Sequence, residues 1–157
     1  SHSLQEAVQK IKEQGYSHII GLPIATGLSS TMNGMKLACD MLEMPVTLVD
    51  TKGTASNQKY LVEVAAKLAG EGKSPEEIKE ILEKLVEDSA TIIMVPNLEH
   101  LKKGGRITPA VATLAGLLKI VPIMKLNYDL GGKIDTFGKV RTAKKANLKI
   151  IDHMVND

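Results

Sequence analysis

The sequence predicts an α/β fold: a mainly parallel sheet covered by helices, followed by part of a second α/β subdomain with a hairpin. Two observations carry this. Short apolar runs of strand length alternate with amphipathic stretches, and the runs are continuously apolar, as in strands covered on both faces. The composition agrees, because 43% apolar and 24% charged residues in 157 suit an ordinary globular domain with one core. Three Tyr and one Phe are the only aromatics, so the core must come from Ile, Leu, Val, Ala and Met. The organisation expected is an α/β domain over 1–97 and a partial second subdomain over 98–157.

Each element has its own signal. Leu4, Ala7, Val8 and Ile11 mark a first helix, and Gly15 stands where a left-handed terminal residue belongs. A strand is expected over His18–Ile24, then a Gly and hydroxyl loop, then a helix from about Ser30 to Leu42 with Met32, Met35 and Met41 near whole turns. Pro45 ends that helix, and Val46–Val49 reads as a second buried strand. A helix from Ser56 turns Tyr60, Leu61, Val64, Ala65 and Leu68 inward. Ser74-Pro75-Glu76-Glu77 combines a cap, an N-terminal Pro and a capping-box Glu, and starts a helix with Ile78, Ile81, Leu82 and Leu85. Thr91–Val95 is the third apolar strand, expected parallel in one sheet with the first two.

Beyond Pro96 come a short helix, Gly104-Gly105-Arg106, and a helix opened by Thr108-Pro109 and running through Leu118. A strand over Ile120–Leu126, a turn through Asn127–Gly132 and a return strand over Lys133–Phe137 make an antiparallel hairpin, which Lys139–Thr142 closes. A last helix starts at Ala143.

Several function classes find no support. A net charge of +2 gives no argument for nucleic acid. Four scattered His and one Cys offer no metal-ligand spacing, so neither a metal nor another cofactor is expected. Walker, Rossmann and Gly-x-Ser-x-Gly patterns are absent. Cys39 reads as a small buried hydrophobe and fits a reducing compartment. No apolar run approaches the roughly 20 residues of a membrane span, so a cytoplasmic location is the expectation, with transient membrane contact left open. The start at Ser1, already helical in pattern by Leu4, reads as a cut chain.

Two stretches can carry chemistry. The loop after the first strand points hydroxyls and backbone N–H groups at one spot beside a helix N-terminus, an arrangement that attracts a small anion; equally, Ser29 or Ser30 merely caps the helix and Gly27 merely makes the turn. Gly104 and Gly105 either form a plain turn or let backbone approach a ligand with Lys102, Lys103 and Arg106 at its rim.

Four pieces of this chain, Ile24–Thr31, Leu48–Thr51, Leu98–Ile107 and Lys139–Thr142, resemble the DegV family of bacterial fatty-acid-binding proteins. The resemblance extends over nearly all the residues, and family members are longer at both ends. It implies a non-enzymatic carrier that encloses a long acyl chain and presents the acid to a fatty acid kinase. Thr26, Gly27, Ser29 and Ser30 would hold the carboxylate, and Leu28, Gly104, Gly105 and Arg106 would form the acyl pocket or its rim. Lys102, Lys103, Arg106 and Arg141 would dock the kinase subunit. Two departures stand out. Ala25 and Thr26 replace the paired serines of the family's Ser-Ser-x-Leu-Ser-Gly-Thr loop, and Ser30 replaces its Gly. The family's upstream Thr-Ser-Gln-Pro-Ser, whose Thr also holds the carboxylate, falls before Ser1. The alternatives are a small hydrolase or transferase of related fold using Ser29, and a fragment without ligand function.

Overall fold

The computed structural model describes residues 2–95, 98–106, 108–113 and 120–156, and the side chains of all of these except Ala110 and Ala112. The first half is a layered unit. Helix α1 (His2–Glu13) is followed by β1 (Ile19–Gly21), α2 (Thr31–Met41), β2 (Val46–Leu48), α3 (Ala55–Gly70) and α4 (Pro75–Glu87). Strands β1 and β2 pair in parallel, Ile19 opposite Val46 and Gly21 opposite Leu48. Helices cover them on both sides. Val8, Ala38, Cys39 and Met44 form one buried cluster with α1 and α2; Leu22, Val49, Leu61, Ala65, Ile78, Leu82 and Val86 form the other with α3 and α4.

Strand β1 is shorter than expected, and Pro23 accounts for it. Pro has no N–H for a ladder, so the chain leaves the sheet after Gly21 and its carbonyls are taken by side chains. Gln58 Nε2 donates to the Leu22 carbonyl at 2.8 Å, and the buried Thr51 hydroxyl donates to the Pro23 carbonyl at 2.8 Å. Helix α4 starts as its sequence dictates, with Ser74 accepting from the Glu77 N–H and Glu77 accepting from the Ser74 N–H. Tyr60, expected to turn inward, is 51% exposed, and Leu61 and Ala65 carry the inward face of α3 instead. Cys39 is 1% exposed, and burial, helped by Asp40, pushes its thiol pKa up.

The remaining strands form a second sheet. β3 (Ala90–Met94), β4 (Val121–Asn127) and β5 (Asp135–Val140) lie in the order β3-β4-β5, antiparallel throughout. The expectation of one sheet with three parallel strands is therefore overturned for β3. A run such as Thr91–Val95 is apolar because layers cover it, and that says nothing about which sheet it joins or in which direction. The expected hairpin is present, its turn closed by Gly131 N–H to the Tyr128 carbonyl and Gly132 N–H to the Asn127 carbonyl. Between β3 and β4 come α5 (Glu99–Gly104) and α6 (Pro109–Ala112), and α7 (Ala143–Asn156) packs against the second sheet. The expected continuation of α6 to Leu118 lies outside the described residues. Ala25, Leu98, Val111, Met124, Leu126 and Ile134 bury a third cluster, which ties the loop after β1 to this sheet.

Candidate functional site

The loop from Ile24 to Ser30 starts just after Pro23, two residues beyond the end of β1. Its first turn is closed by the Leu28 and Ser29 N–H groups donating to the Ala25 carbonyl, at 2.9 and 3.2 Å. Ala25 is fully buried, and its own N–H donates to the Gly53 carbonyl at 3.0 Å. The family-like serine position is thus a packing position here. Gly27 has a different constraint. A Cβ built on it would lie 2.4 Å from the Gly132 carbonyl oxygen, so the β4–β5 turn sits directly on this loop. Gly132, with φ +70°, faces the Ala25 methyl and the Lys52 backbone in return.

The hydroxyls divide into two groups. Thr26 gives its N–H to Asp50 Oδ1 at 3.1 Å and its hydroxyl to Asp50 Oδ2. Both of its donors are therefore directed at a carboxylate of the protein, and Thr26 can donate to a ligand only by breaking that bond. Burial raises the pKa of Asp50, but bonds from the Thr26 hydroxyl, the Lys52 ammonium and both backbone N–H groups outweigh it and hold the group below its ordinary value. Ser29 Oγ shares a hydrogen bond with Thr31 Oγ1 at 2.7 Å and accepts from the Thr31 N–H at 3.3 Å. Ser30 is the N-cap of α2 and makes no side-chain cap bond.

Opposite this loop, α5 ends at Gly105, whose φ of +69° makes it the left-handed C-terminal residue. A helix end of this kind accounts for the glycine at 105 by conformation alone. That turn also delivers Arg106, whose Nε donates to the Leu28 carbonyl at 3.3 Å while Nη1 donates to the Gly104 carbonyl. Gly27, Gly105, Arg106, Thr108, Pro109 and Lys133 line one cavity of about 260 Å³. Its two cations face a site with hydroxyl and backbone partners, so it can take an anionic head group. Half-buried Leu28 and Leu101 stand in the adjoining aliphatic cluster.

The candidate residues are thus only partly brought together. Gly27, Gly105 and Arg106 share the cavity; Thr26 is not among the residues lining it. Lys102 and Lys103 are exposed on α5, and Arg141 lines a separate depression with Ile120, Lys139 and Val140. Asp50 and Lys133 are not among the residues that the sequence singles out. Lys133 follows a Gly-Gly turn, the same signal that singles out Arg106, and Asp50 lies just beyond β2 within Leu48–Thr51. Among the described residues no His, Cys, Asp or Glu cluster could hold a metal, and no helix is long and apolar enough to cross a membrane.

A family model described as "Uncharacterised protein, DegV family" matches residues 1–157. A DegV domain-containing protein of Streptococcus pneumoniae is 33% identical over 150 residues, which is 95% of this chain and 52% of the relative. A Clostridium acetobutylicum relative described in the same words is 30% identical over 150 residues, or 95% and 53%. Among solved structures, a DegV lipid-binding protein from Thermotoga maritima is similar with a TM-score of 0.83 at 27% identity, covering 98% of this chain and 52% of that one. A fatty-acid-binding DegV family protein from Streptococcus agalactiae gives 0.82 at 31%, covering 99% and 56%. The chain spans about half the length of the curated relatives it matches.

Proposed function

The chain belongs to the DegV family, and from that premise we propose that it is a non-enzymatic binding protein for a long-chain fatty acid, with the carboxylate at the loop after β1. The observation that carries the reading is the Arg106–Lys133 cavity, bounded by Gly27 and set beside an aliphatic cluster. A buried carboxylate is tolerable only where charge-assisted donors meet it, and guanidinium and ammonium groups supply them. A cavity of about 260 Å³ has room for the head group. Leu28 and Leu101 would take up the chain beyond it. Within the loop, Gly27 gives backbone access, Ser29 and Ser30 contribute hydroxyls, and Thr26 holds the loop to Asp50.

Presentation to a fatty acid kinase subunit in the cytoplasm is the second half of the proposal. It is supported by Lys102 and Lys103, exposed beside the cavity on the helix that delivers Arg106. Charges at a rim mainly steer encounter and lose their influence as salt rises. The hydrolase alternative gains nothing from the geometry, because among the described residues the partners of the Ser29 hydroxyl are the Thr31 hydroxyl and N–H, and neither is a base.

Mass spectrometry of lipid extracted from the purified protein, together with titration of cis-parinaric acid, tests the first half. A bound long-chain acid and an affinity reduced about tenfold or more by Arg106→Glu are expected. No extractable acid and no titratable binding would sink the reading. Lys102→Glu with Lys103→Glu should leave lipid binding intact and slow acyl transfer to the kinase most at low salt; equal loss of lipid would place these lysines in the pocket instead.

A further inference from the structure

The proposed head-group loop is shaped by a residue outside the cavity. Asp50 follows β2, and its side chain is 15% exposed. Four donors converge on it. Thr26 N–H and Lys52 N–H donate to Oδ1, each at 3.1 Å, while the Thr26 hydroxyl and the Lys52 ammonium, at 2.9 Å, meet Oδ2. Lys52 takes φ +48°, a left-handed conformation that a non-Gly residue keeps only where its surroundings impose it. Here that conformation lets one residue reach the carboxylate with both its backbone N–H and its side chain.

The neighbours explain why the lysine is needed. Glu83 and Glu87 from α4, with Val86 and Tyr128, line a cavity of about 280 Å³ together with Asp50 and Lys52. Without the ammonium, Asp50 would stand in an acidic surrounding. On the other side, Lys52 and Ala25 receive Gly132 of the β4–β5 turn, and Gly27, next to Thr26, faces the head-group cavity.

We propose that Asp50 is the positioning residue of this site: by taking both donors of Thr26 it fixes the Ala25–Ser29 turn so that Gly27 faces the cavity. The proposal rests on the fatty-acid reading. Asp50 does not line the head-group cavity and acts through Thr26. Removal of the Thr26 hydroxyl consequently weakens binding by loosening the turn and not by deleting a ligand contact. A double-mutant cycle tests whether Asp50 and Thr26 act as one unit, because such residues give losses that do not add, and amide exchange reports the loosened turn.

The experiment titrates cis-parinaric acid into the wild-type chain, Asp50→Asn, Thr26→Val and the double variant, and follows backbone amide exchange by NMR. Asn at 50 keeps an acceptor for the backbone, but its NH₂ can neither accept from the Thr26 hydroxyl nor neutralise Lys52. Each single variant should lose roughly three- to tenfold in affinity, and the double no more than the worse single. The Thr26 amide should exchange at least about tenfold faster in Asp50→Asn, while Ile78 and Leu82 in α4 stay protected, which separates a loosened turn from general unfolding. Affinity losses that multiply, unchanged affinity, or an unchanged Thr26 amide would each overturn the proposal. If the wild-type chain binds no probe, the fatty-acid reading itself has failed, and Thr26 exchange alone then decides whether Asp50 holds the turn.

Discussion

Gly27 has no room for a side chain, and what stands in the way is backbone. A methyl at this position would come within 2.4 Å of the Gly132 carbonyl oxygen and 2.9 Å of the Lys133 nitrogen. Gly27→Ala should therefore lift the β4–β5 turn away from the loop, at a cost of about 1–3 kcal/mol of the kind found for overpacked sites. Urea unfolding measures it, and a stability within about 0.5 kcal/mol of wild type would mean that the turn yields without resistance. Gly105 and Gly27 looked alike in the sequence, as punctuation beside polar residues, yet one ends a helix with φ +69° while the other admits a neighbouring chain segment. The sequence could not separate them because close approach is set by a partner far along the chain. Thr26 shows the same limit. Its hydroxyl was legible, but the acceptor that claims it, Asp50, comes from the end of another strand.

At the scale of elements, local chemistry made α4 fully legible. Ser74, Pro75 and Glu77 specify its start without help from the fold, and the capping box forms as written. Ser74→Ala should cost about 1 kcal/mol, read from the urea midpoint at constant slope. The Ser74 N–H, with Lys73 second, holds the pKa of Glu77 below its ordinary 4.5. A depressed carboxylate stabilises the fold above its unfolded pKa, and that contribution is lost as pH falls through the lower folded value. The gap between wild type and Glu77→Ala should accordingly be full at neutral pH and shrink below about 4.5; a gap that widens on acidification would contradict the cap. Strands were less legible than helices. The hairpin was foreseen because Gly131-Gly132 and the runs around them are adjacent in the chain, whereas the partner of β3 is β4, which the sequence reaches only after two further helices.

Across the whole molecule, the two sheets meet where the hairpin turn rests on the loop after β1. Chemistry-bearing residues gather at that seam, with Gly27 from one side and Arg106 and Lys133 from the other. The α/β class was readable because periodicity reports burial; the division into two sheets was not, because an apolar run such as Ile92–Met94 carries no record of direction. The seam also has a temporal meaning. β1 and β2 with their helices are built from neighbouring parts of the chain, while Gly132 arrives only once β4 and β5 have paired, and contacts of such long sequence separation form late because the intervening chain must first be closed. Pulse-labelled exchange during refolding should thus find α3 and α4 protected before the Thr26 amide, and simultaneous protection would show that the loop orders without the hairpin. A chain of this design completes its helical body before its seam, so the proposed head-group cavity is the last part of the molecule to take shape.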